Sequence, residues 1–395
     1  MYSKIYVTKM QILSLNFLLL TISGFWQPTE WTSKCSKLMY KIFTFFSMYL
    51  MTYLLLTHLM YVIFIVDGLE NLVACSFFNI AILLGYFKVI TVITRRDQII
   101  NLIKILQTNP YKACDEEEID IQMKFDYTIR FYTMSYIILC TISGLSCAFG
   151  GVLYMLHGQI PYGFVWVPWD CTSTLVFCFT SVQEILGILI GLPATVAIET
   201  MVLGFCLQIC ARFEILLHRL QKMIKHDEKE AIPTNWLNKT SNKISKLSEH
   251  VIHHLCIIRL AEMINDVFSQ IIFVQFFTST FVICLTIFYL SSHMTIENLS
   301  TYSVYVICTF VQIFMYCWAG NQVTTKSTEL GEEIFNMDWI SMTKNEQRDL
   351  LMIMMRSTIP IKFTSTFLVT LSLEAYGNLL KTSFSAFNLL QQVQK

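Results

Sequence analysis

The polar residues of the last apolar segment share one face of a helix. Within residues 366–390 they recur at steps of four, three, four and three: Glu374, Asn378, Lys381, Ser385 and Asn388. That spacing is typical of an α-helix. Carboxylate, amide, ammonium and hydroxyl groups can bind ions or water, and their burial in lipid is costly. The segment is therefore either a helix packed at the centre of a bundle, with its polar groups paired, or a helix that lines a pore.

The chain as a whole is too apolar for a soluble protein. Of its 395 residues, 54% are hydrophobic and only 14% are charged, and the mean hydropathy is +0.54. This composition is typical of proteins that cross the membrane several times. The formal net charge of zero gives no indication of nucleic-acid binding. The sequence has no phosphate-binding glycine loop, nucleophile-elbow motif or His/Cys cluster, so we predict no enzyme, cofactor or metal site.

Seven segments have the length and apolarity that a bilayer requires. They are approximately residues 42–66, 70–93, 131–156, 183–211, 264–290, 300–323 and 366–390. We predict an all-α membrane protein with a single seven-helix domain over residues 1–395. Its predicted parts are a cytoplasmic or interfacial N-terminus at 1–41, spans one to six within 42–323, a cytoplasmic anchor at 324–365, and a pore helix with an extracellular end at 366–395.

The positions of lysine and arginine predict the orientation in the membrane. Apart from Lys88, Lys381 and Lys395, the 28 basic residues all lie in the N-terminal stretch or in the second, fourth and sixth connections. The other three connections contain no Lys or Arg. Because basic residues favour the cytoplasmic side, the N-terminus should be cytoplasmic and the C-terminus extracellular. This topology is the reverse of that of a G-protein-coupled receptor.

Two further segments bear on the topology. Asn298 begins an Asn-Leu-Ser glycosylation motif in the predicted outer loop 291–299, where modification can occur. The apolar run 12–23 follows Lys4 and Lys9 and has some features of a signal peptide. It is short for a span and contains Asn16, so we interpret it as an interfacial or packed helix.

The cytoplasmic connections contain helical patterns of their own. Residues 212–225 and 243–265 carry apolar side chains at helical spacing, so helices four to seven should extend into the cytoplasm. Their apolar positions, which include Leu216, Leu220, Leu247 and Ile258, have no evident cover in the sequence. We predict that they form the main contact between subunits. The acidic run 115–118 is interpreted as a solvated loop.

Several stretches resemble the insect odorant receptor family. Residues 312–339 resemble the sixth span and following helix of that family, and residues 350–364 with 371–390 resemble its seventh-helix signature. Residues 253–276 are similar to its fifth span, and the aromatic stretch 160–170 resembles its second outer loop. The chain resembles an odorant-tuned variable subunit, because the shared co-receptor typically has a longer connection between spans four and five.

The resemblance implies a ligand-gated cation channel. In the family, a variable odorant-binding subunit assembles with the co-receptor into a heterotetramer in the plasma membrane of olfactory sensory neurons. The seventh helices line one pore, and the pocket for a small volatile ligand lies between spans two, three, four and six. Matching the co-receptor's chain end implies pore roles for Leu389, Gln392 and Val393, beside Ser385 on the polar face.

The family's pocket positions also fall on particular residues of this chain. By that resemblance, the predicted ligand-binding residues are Ala74, Phe77, Phe78, Cys147, Gly150, Tyr154, Ile188, Leu192, Tyr302 and Tyr305. Small residues would leave space and aromatic residues would supply apolar contact. Ordinary packing of a helix bundle would also explain such residues at this spacing.

Two other functions remain open. A homomeric channel like the related gustatory receptors is the nearest alternative, although their usual Thr-Tyr and Gln-Phe pairs are missing from 382–387. A secondary transporter would need helix breaks at matching positions in both halves. Gly191-Leu192-Pro193 is one such break, but the second half has no counterpart.

Overall fold

Long helices make up nearly all of the structure, a computed structural model that describes residues 12–28, 31, 33–156, 165–169, 173–229, 236–292, 296–339, 342–365 and 369–393. The helices are α1 (Ser14–Ile22), α2 (Lys34–Phe64), α3 (Leu69–Thr94), α4 (Arg96–Leu106), α5 (Glu116–Leu156), α6 (Thr174–Lys229), α7 (Trp236–Ser292), α8 (Ile296–Phe335), α9 (Lys344–Ser357) and α10 (Leu373–Val393). Two short strands, β1 (Thr364–Ser365) and β2 (Val369–Thr370), precede α10.

Seven of these helices correspond to the predicted spans. In the described part of the chain, six are long and apolar enough to cross a membrane, namely α2, α3, α5, α6, α7 and α8. The seventh, α10, has 21 residues, which at 1.5 Å per residue is about 32 Å and matches the bilayer core. The predicted all-α membrane fold is confirmed.

Helix α6 forms the centre of the bundle. It packs against α1, α2, α3, α5, α7 and α8. Its middle third is buried on all sides, with Ala197, Met201, Phe205 and Ile209 almost fully covered. A helix that is apolar around its whole circumference is expected in such a position. The other helices of the bundle are therefore organised around α6.

The N-terminal helix α1 is packed rather than exposed. Asn16 is buried, and its side-chain amide donates to Thr200 Oγ1 at 2.7 Å and to the carbonyl oxygen of Ala197 at 3.1 Å. Phe17 and Leu20 are also buried. These contacts attach α1 to α6, so of the two interpretations of residues 12–23, the packed helix is confirmed.

The acidic run 115–118 is not a solvated loop, so that prediction was wrong. Its three glutamates form the first turn of α5. Glu118 is buried and accepts two hydrogen bonds from Arg219 on α6, both at 2.8 Å. Nearer the surface, Lys222 on α6 donates a single hydrogen bond to Asp115 Oδ2. The acidic residues therefore pair with α6, and helix three, like helices four to six, extends beyond its predicted span.

The prediction that uncovered apolar faces of the cytoplasmic extensions hold the subunits together was also wrong for the residues named. Leu216, Leu220 and Leu247 have no exposed area, and Ile258 is 7% exposed. They lie on α6 and α7, which pack against each other within one chain. Helical spacing identified these residues as apolar, but it could not show which helix of the same chain covers them.

The seventh span starts later than predicted. Strands β1 and β2 are antiparallel, and Thr364 pairs with Thr370 and Ser365 with Val369. β-Branched residues favour such extended backbone. Helix α10 then begins at Leu373, where Ser372 Oγ accepts the N–H of Ala375 at 3.1 Å, the bond of an N-cap residue. The predicted start at 366 was therefore too early, because the described residues 369–372 directly before α10 are not helical.

Candidate functional site

A cavity lies among five of the spanning helices. Its volume is about 250 Å³, and its walls come from α2, α3, α5, α6 and α8. Most of the lining side chains are apolar, such as Leu54, Ile82 and Val196. A cavity of this size and character suits a small organic molecule. The cavity lies between spans two, three, four and six, where the resemblance places the ligand site, and span one adds a further wall. Its use as a ligand site stays a prediction.

Four of the predicted ligand-binding residues line the cavity. Phe78 lies on α3, Ile188 and Leu192 lie on α6, and Tyr305 lies on α8. Six others lie on α3, α5 or α8, but their side chains are outside what the structure describes: Ala74, Phe77, Cys147, Gly150, Tyr154 and Tyr302. The structure thus brings four of the predicted residues to one cavity, and their role in binding stays a prediction.

Glycines of α6 determine how closely α2 approaches the cavity. A Cβ atom at Gly191 would lie 2.7 Å from the sulfur of Met51, and one at Gly187 would lie 3.3 Å from the carbonyl oxygen of Leu50. Small residues allow membrane helices to pack this closely. Because α2 is held against α6 here, Met51 and Leu54 form part of the cavity wall.

One end of the cavity contains a buried ion pair. Lys88 Nζ on α3 lies 2.7 Å from Glu199 Oε1 on α6, and the two side chains are 0% and 3% exposed. Both residues line the cavity. An unpaired charge inside a membrane protein would be costly, so the two charges stabilise each other there.

A second polar group lies nearer the N-terminal end of α6. His58 on α2 lines the cavity, and its Nε2 is 3.5 Å from Glu184 Oε2. The hydroxyl of Thr57 donates to Glu184 Oε1 at 2.9 Å. Glu184 and Glu199 are separated by about 22 Å along α6 at 1.5 Å per residue. The polar groups are therefore at separate levels of the bundle, with apolar walls between them.

A chain of amides leads from the cavity towards α7. Gln312 on α8 lines the cavity and donates to Gln275 Oε1 on α7 at 3.2 Å. Gln275 in turn donates to Ser279 Oγ at 2.7 Å. All three side chains are buried. Since α7 and α8 both pack against α10, these bonds connect the cavity wall to the helices that support α10.

The polar face of α10 points away from the rest of the chain. Each member of the face is exposed: Glu374, Asn378, Lys381, Ser385 and Asn388. Leu379 and Ser383 on the other side of the helix are buried. Of the two sequence interpretations, paired burial within the chain is therefore wrong. The side chains of Leu389, Gln392 and Val393 lie outside the described part, so their pore roles stay predictions.

Residues 68–384 match the family model described as "7tm Odorant receptor". This match covers most of the chain. The chain belongs to the odorant receptor family. The family consists of membrane receptors rather than enzymes, in agreement with the sequence prediction.

Individual relatives and solved structures agree with this assignment. Odorant receptor 67a of Drosophila melanogaster is 21% identical over 345 residues, which cover 81% of this chain and 79% of that protein. Odorant receptor Or1 of Anopheles gambiae is 23% identical over 248 residues, which cover 58% and 59%. The structure of the olfactory receptor OR5 from Machilis hrabei in complex with eugenol has a TM-score of 0.81 at 17% identity and covers 96% of this chain and 97% of its own. The odorant receptor described here therefore has the same multi-pass fold.

Three charged residues in or beside this odorant receptor's cavity were not predicted from the sequence. Lys88 and Glu199 line the cavity, whereas Glu184 only contacts His58, which lines it. Lys88, Glu184 and Glu199 are isolated charges in apolar runs. Charges in such runs usually face the bundle interior and pair with one another, and this signal could have identified them. Their actual pairing depends on which helices are neighbours, which the sequence alone did not indicate.

The predicted glycosylation motif at Asn298 does not lie in a loop. Asn298 was placed in an outer loop, but α8 begins at Ile296, so Asn298 lies in its first turn. The side chain itself is outside the described part. Modification of Asn298 stays a prediction.

Proposed function

We propose that this receptor is the odorant-binding subunit of a heteromeric ligand-gated cation channel. It would detect small volatile hydrophobic molecules in the plasma membrane of olfactory sensory neurons, as a heterotetramer with the shared odorant co-receptor. The observation that carries this proposal is the mainly apolar cavity lined by α2, α3, α5, α6 and α8. The related OR5 structure was determined with eugenol, a small organic molecule, which supports a ligand of this kind.

The position of α10 supports the channel part of the proposal. Its polar face is exposed in a single chain, and lipid is a poor environment for Glu374 and Lys381. In an assembly with other subunits, this face would meet a water-filled path. Hydroxyl and amide groups on it, such as those of Ser385 and Asn388, could replace part of the hydration shell of an ion.

Current recording tests this function directly. The chain is expressed with and without the co-receptor, and both cell populations are exposed to a broad set of odorants. We expect odorant-evoked cation currents only when both subunits are present, because each would supply part of the pore. Currents from the chain alone would favour a homomeric, gustatory-like channel. Odorant responses identical to those of the co-receptor alone would contradict the proposal.

We expect the N-terminus to be cytoplasmic and the C-terminus extracellular. The basis is the concentration of Lys and Arg on one side of the spans. Epitope tags at the two ends are compared by antibody labelling of intact cells, with permeabilised cells as the control. The C-terminal tag should be labelled in both samples and the N-terminal tag only after permeabilisation. Labelling of the N-terminal tag on intact cells would reverse the topology.

Exposed apolar residues on and just after α9 are the proposed contact with the co-receptor. On α9, Leu350 and Ile353 are buried, whereas Leu351 is 51% and Met355 63% exposed. Ile359, just beyond the helix, is 60% exposed. An apolar surface outside the spans is expected to have a partner. In the proposed tetramer, this surface would pack against a neighbouring subunit.

Carboxylates on this surface should weaken assembly. We expect Leu351→Glu with Met355→Glu to reduce co-precipitation with the co-receptor by about tenfold. Burial of two apolar side chains at an interface contributes more than about 1.4 kcal/mol to the binding free energy, and that amount corresponds to a tenfold change in affinity. The matched control is Asn345→Glu with Arg348→Glu, which places carboxylates on exposed polar positions of the same helix. Equal co-precipitation of both variants would show that the subunits meet elsewhere.

A further inference from the structure

The ion pair at one end of the cavity has hydrogen-bonding capacity that the protein does not use. An ammonium group has three N–H donors. Within the described residues, Lys88 donates one of them to Glu199 Oε1. Glu199 Oε2 makes no hydrogen bond of normal geometry in that part of the chain, although the Tyr136 hydroxyl lies close enough to interact with the Glu199 carboxylate. Both side chains line the cavity and are almost fully buried. Buried polar atoms are normally satisfied, and a partner from within the cavity would complete the hydrogen bonds that these two side chains leave unmade.

We propose that Lys88 and Glu199 recognise an oxygen atom of the ligand. The cavity would then take a neutral molecule with a hydroxyl or carbonyl oxygen at one end and an apolar body. A free N–H of Lys88 would donate to that oxygen, and a ligand hydroxyl would also donate to Glu199 Oε2. The apolar body would lie against Ile188, Leu192 and Phe78, which line the same cavity. This inference rests on the proposed function.

The charges of the pair favour a neutral ligand over an ion. Lys88 and Glu199 carry opposite charges in direct contact, so together they offer little net attraction to an ammonium or a carboxylate. Moving such an ion out of water into a mainly apolar cavity would be costly. A neutral oxygen loses less hydration and still gains a hydrogen bond to a charged group, the stronger kind.

A purely structural role for the pair is the competing explanation. The bond joins α3 to α6, and removal of one partner would leave the other charge buried and uncompensated. Single substitutions therefore do not distinguish the two roles. Replacement of both residues by apolar ones of similar size often preserves folding, so Lys88→Met with Glu199→Leu removes the recognition groups without leaving a lone charge.

The experiment measures how a polar group on the ligand changes receptor sensitivity. Cells expressing the receptor with the co-receptor are tested with heptanol, heptanone and heptene, which share one carbon skeleton. We expect the wild-type receptor to respond to heptanol and heptanone at concentrations about ten- to a hundredfold lower than to heptene. In the variant Lys88→Met with Glu199→Leu, the three concentrations should converge. Surface labelling checks that the variant reaches the plasma membrane.

The control uses a second ion pair on the same central helix. Lys326 Nζ on α8 lies 3.2 Å from Glu214 Oε1 on α6, and neither residue lines the cavity. Lys326→Met with Glu214→Leu should keep the wild-type preference for the two oxygenated compounds. If the cavity variant does not reach the surface, Lys88→Gln with Glu199→Gln is tested in its place. This variant also lacks the ammonium donors of Lys88, so its preference for the oxygenated compounds should be smaller than that of the wild-type receptor.

The outcomes separate this inference from the proposed function. A wild-type receptor that responds equally to all three compounds, or to other odorants but to neither oxygenated compound, overturns the inference alone. So does a cavity variant at the surface that keeps the full preference. A receptor that gives no current beyond that of the co-receptor with any odorant overturns the proposed function, and this inference with it.

Discussion

Gly320→Ala is expected to reduce both surface expression and odorant-evoked current severely. A Cβ atom at this position of α8 would lie 2.4 Å from Leu371 Cβ and 2.7 Å from the Leu371 carbonyl oxygen, just before α10. Neither neighbour is the flexible end of a side chain, so α8 and the start of α10 would have to separate. Overpacking of this kind typically costs about 1–3 kcal/mol.

A second glycine provides a matched control for this prediction. Gly377 lies within α10, and a Cβ atom there would meet nothing within 4 Å. Gly377→Ala should therefore leave the packing unchanged and add about 1 kcal/mol of helix propensity. Both variants are compared by surface labelling and by current recording with the co-receptor. Normal expression and currents in Gly320→Ala would show that the contact between α8 and α10 is not a tight one.

The contact at Gly320 also bears on how ligand binding could reach the pore. Helix α8 lines the cavity through Tyr305 and Gln312. Two residues beyond Gln312, the Phe314 ring contacts the Tyr376 ring of α10, with centroids 5.7 Å apart. One rigid helix thus touches both the cavity and α10. A ligand that shifts α8 would therefore displace α10 directly, without a further helix between them.

Much of the fold could be predicted from local sequence. Apolar runs identified the seven spans because the thickness of the bilayer sets the number of apolar residues that a spanning segment needs. Helical spacing and family resemblance placed Ile188 and Leu192 at a pocket, and both line the cavity. The start of α10 was predicted too early because the apolar run continues through this region without a break. The actual boundary depends on Ser372, which caps the helix, and on the β-branched residues of the strands before it.

Properties that depend on which helices are neighbours could not be predicted. The sequence pattern around Leu216 and Leu247 is the same whether these side chains are covered by their own chain or by another subunit. The structure shows that the packing of α6 against α7 within one chain covers them. Lys88 and Glu199 lie 111 positions apart, so no periodic pattern joins them. A run of acidic residues predicts solvent exposure for Glu118, but Glu118 is buried because it pairs with Arg219, which lies 101 positions away in the sequence.

A large decrease in current is expected when a cysteine on the polar face of α10 is chemically modified. If Ser385 faces the conduction path, a cysteine there should react with a water-soluble, membrane-impermeant thiol reagent while the channel is open. The bulky product would obstruct the pore, and we expect current to fall by about tenfold, because conduction depends on the free width of the path. Ser385 is exposed and makes only a local bond, to the Lys381 carbonyl oxygen at 2.9 Å, so the substitution itself should be tolerated.

Ser383→Cys is the matched control, because Ser383 lies two residues away on the same helix and is only 1% exposed. It should stay unmodified, and its current should persist. The wild-type receptor must be treated as well, since native cysteines such as Cys35 and Cys178 are exposed. The order of potency among odorants should be the same in all three proteins before treatment, because the cavity is untouched. Unchanged current in Ser385→Cys after treatment of open channels would mean that the polar face of α10 packs against another subunit and that ions pass elsewhere.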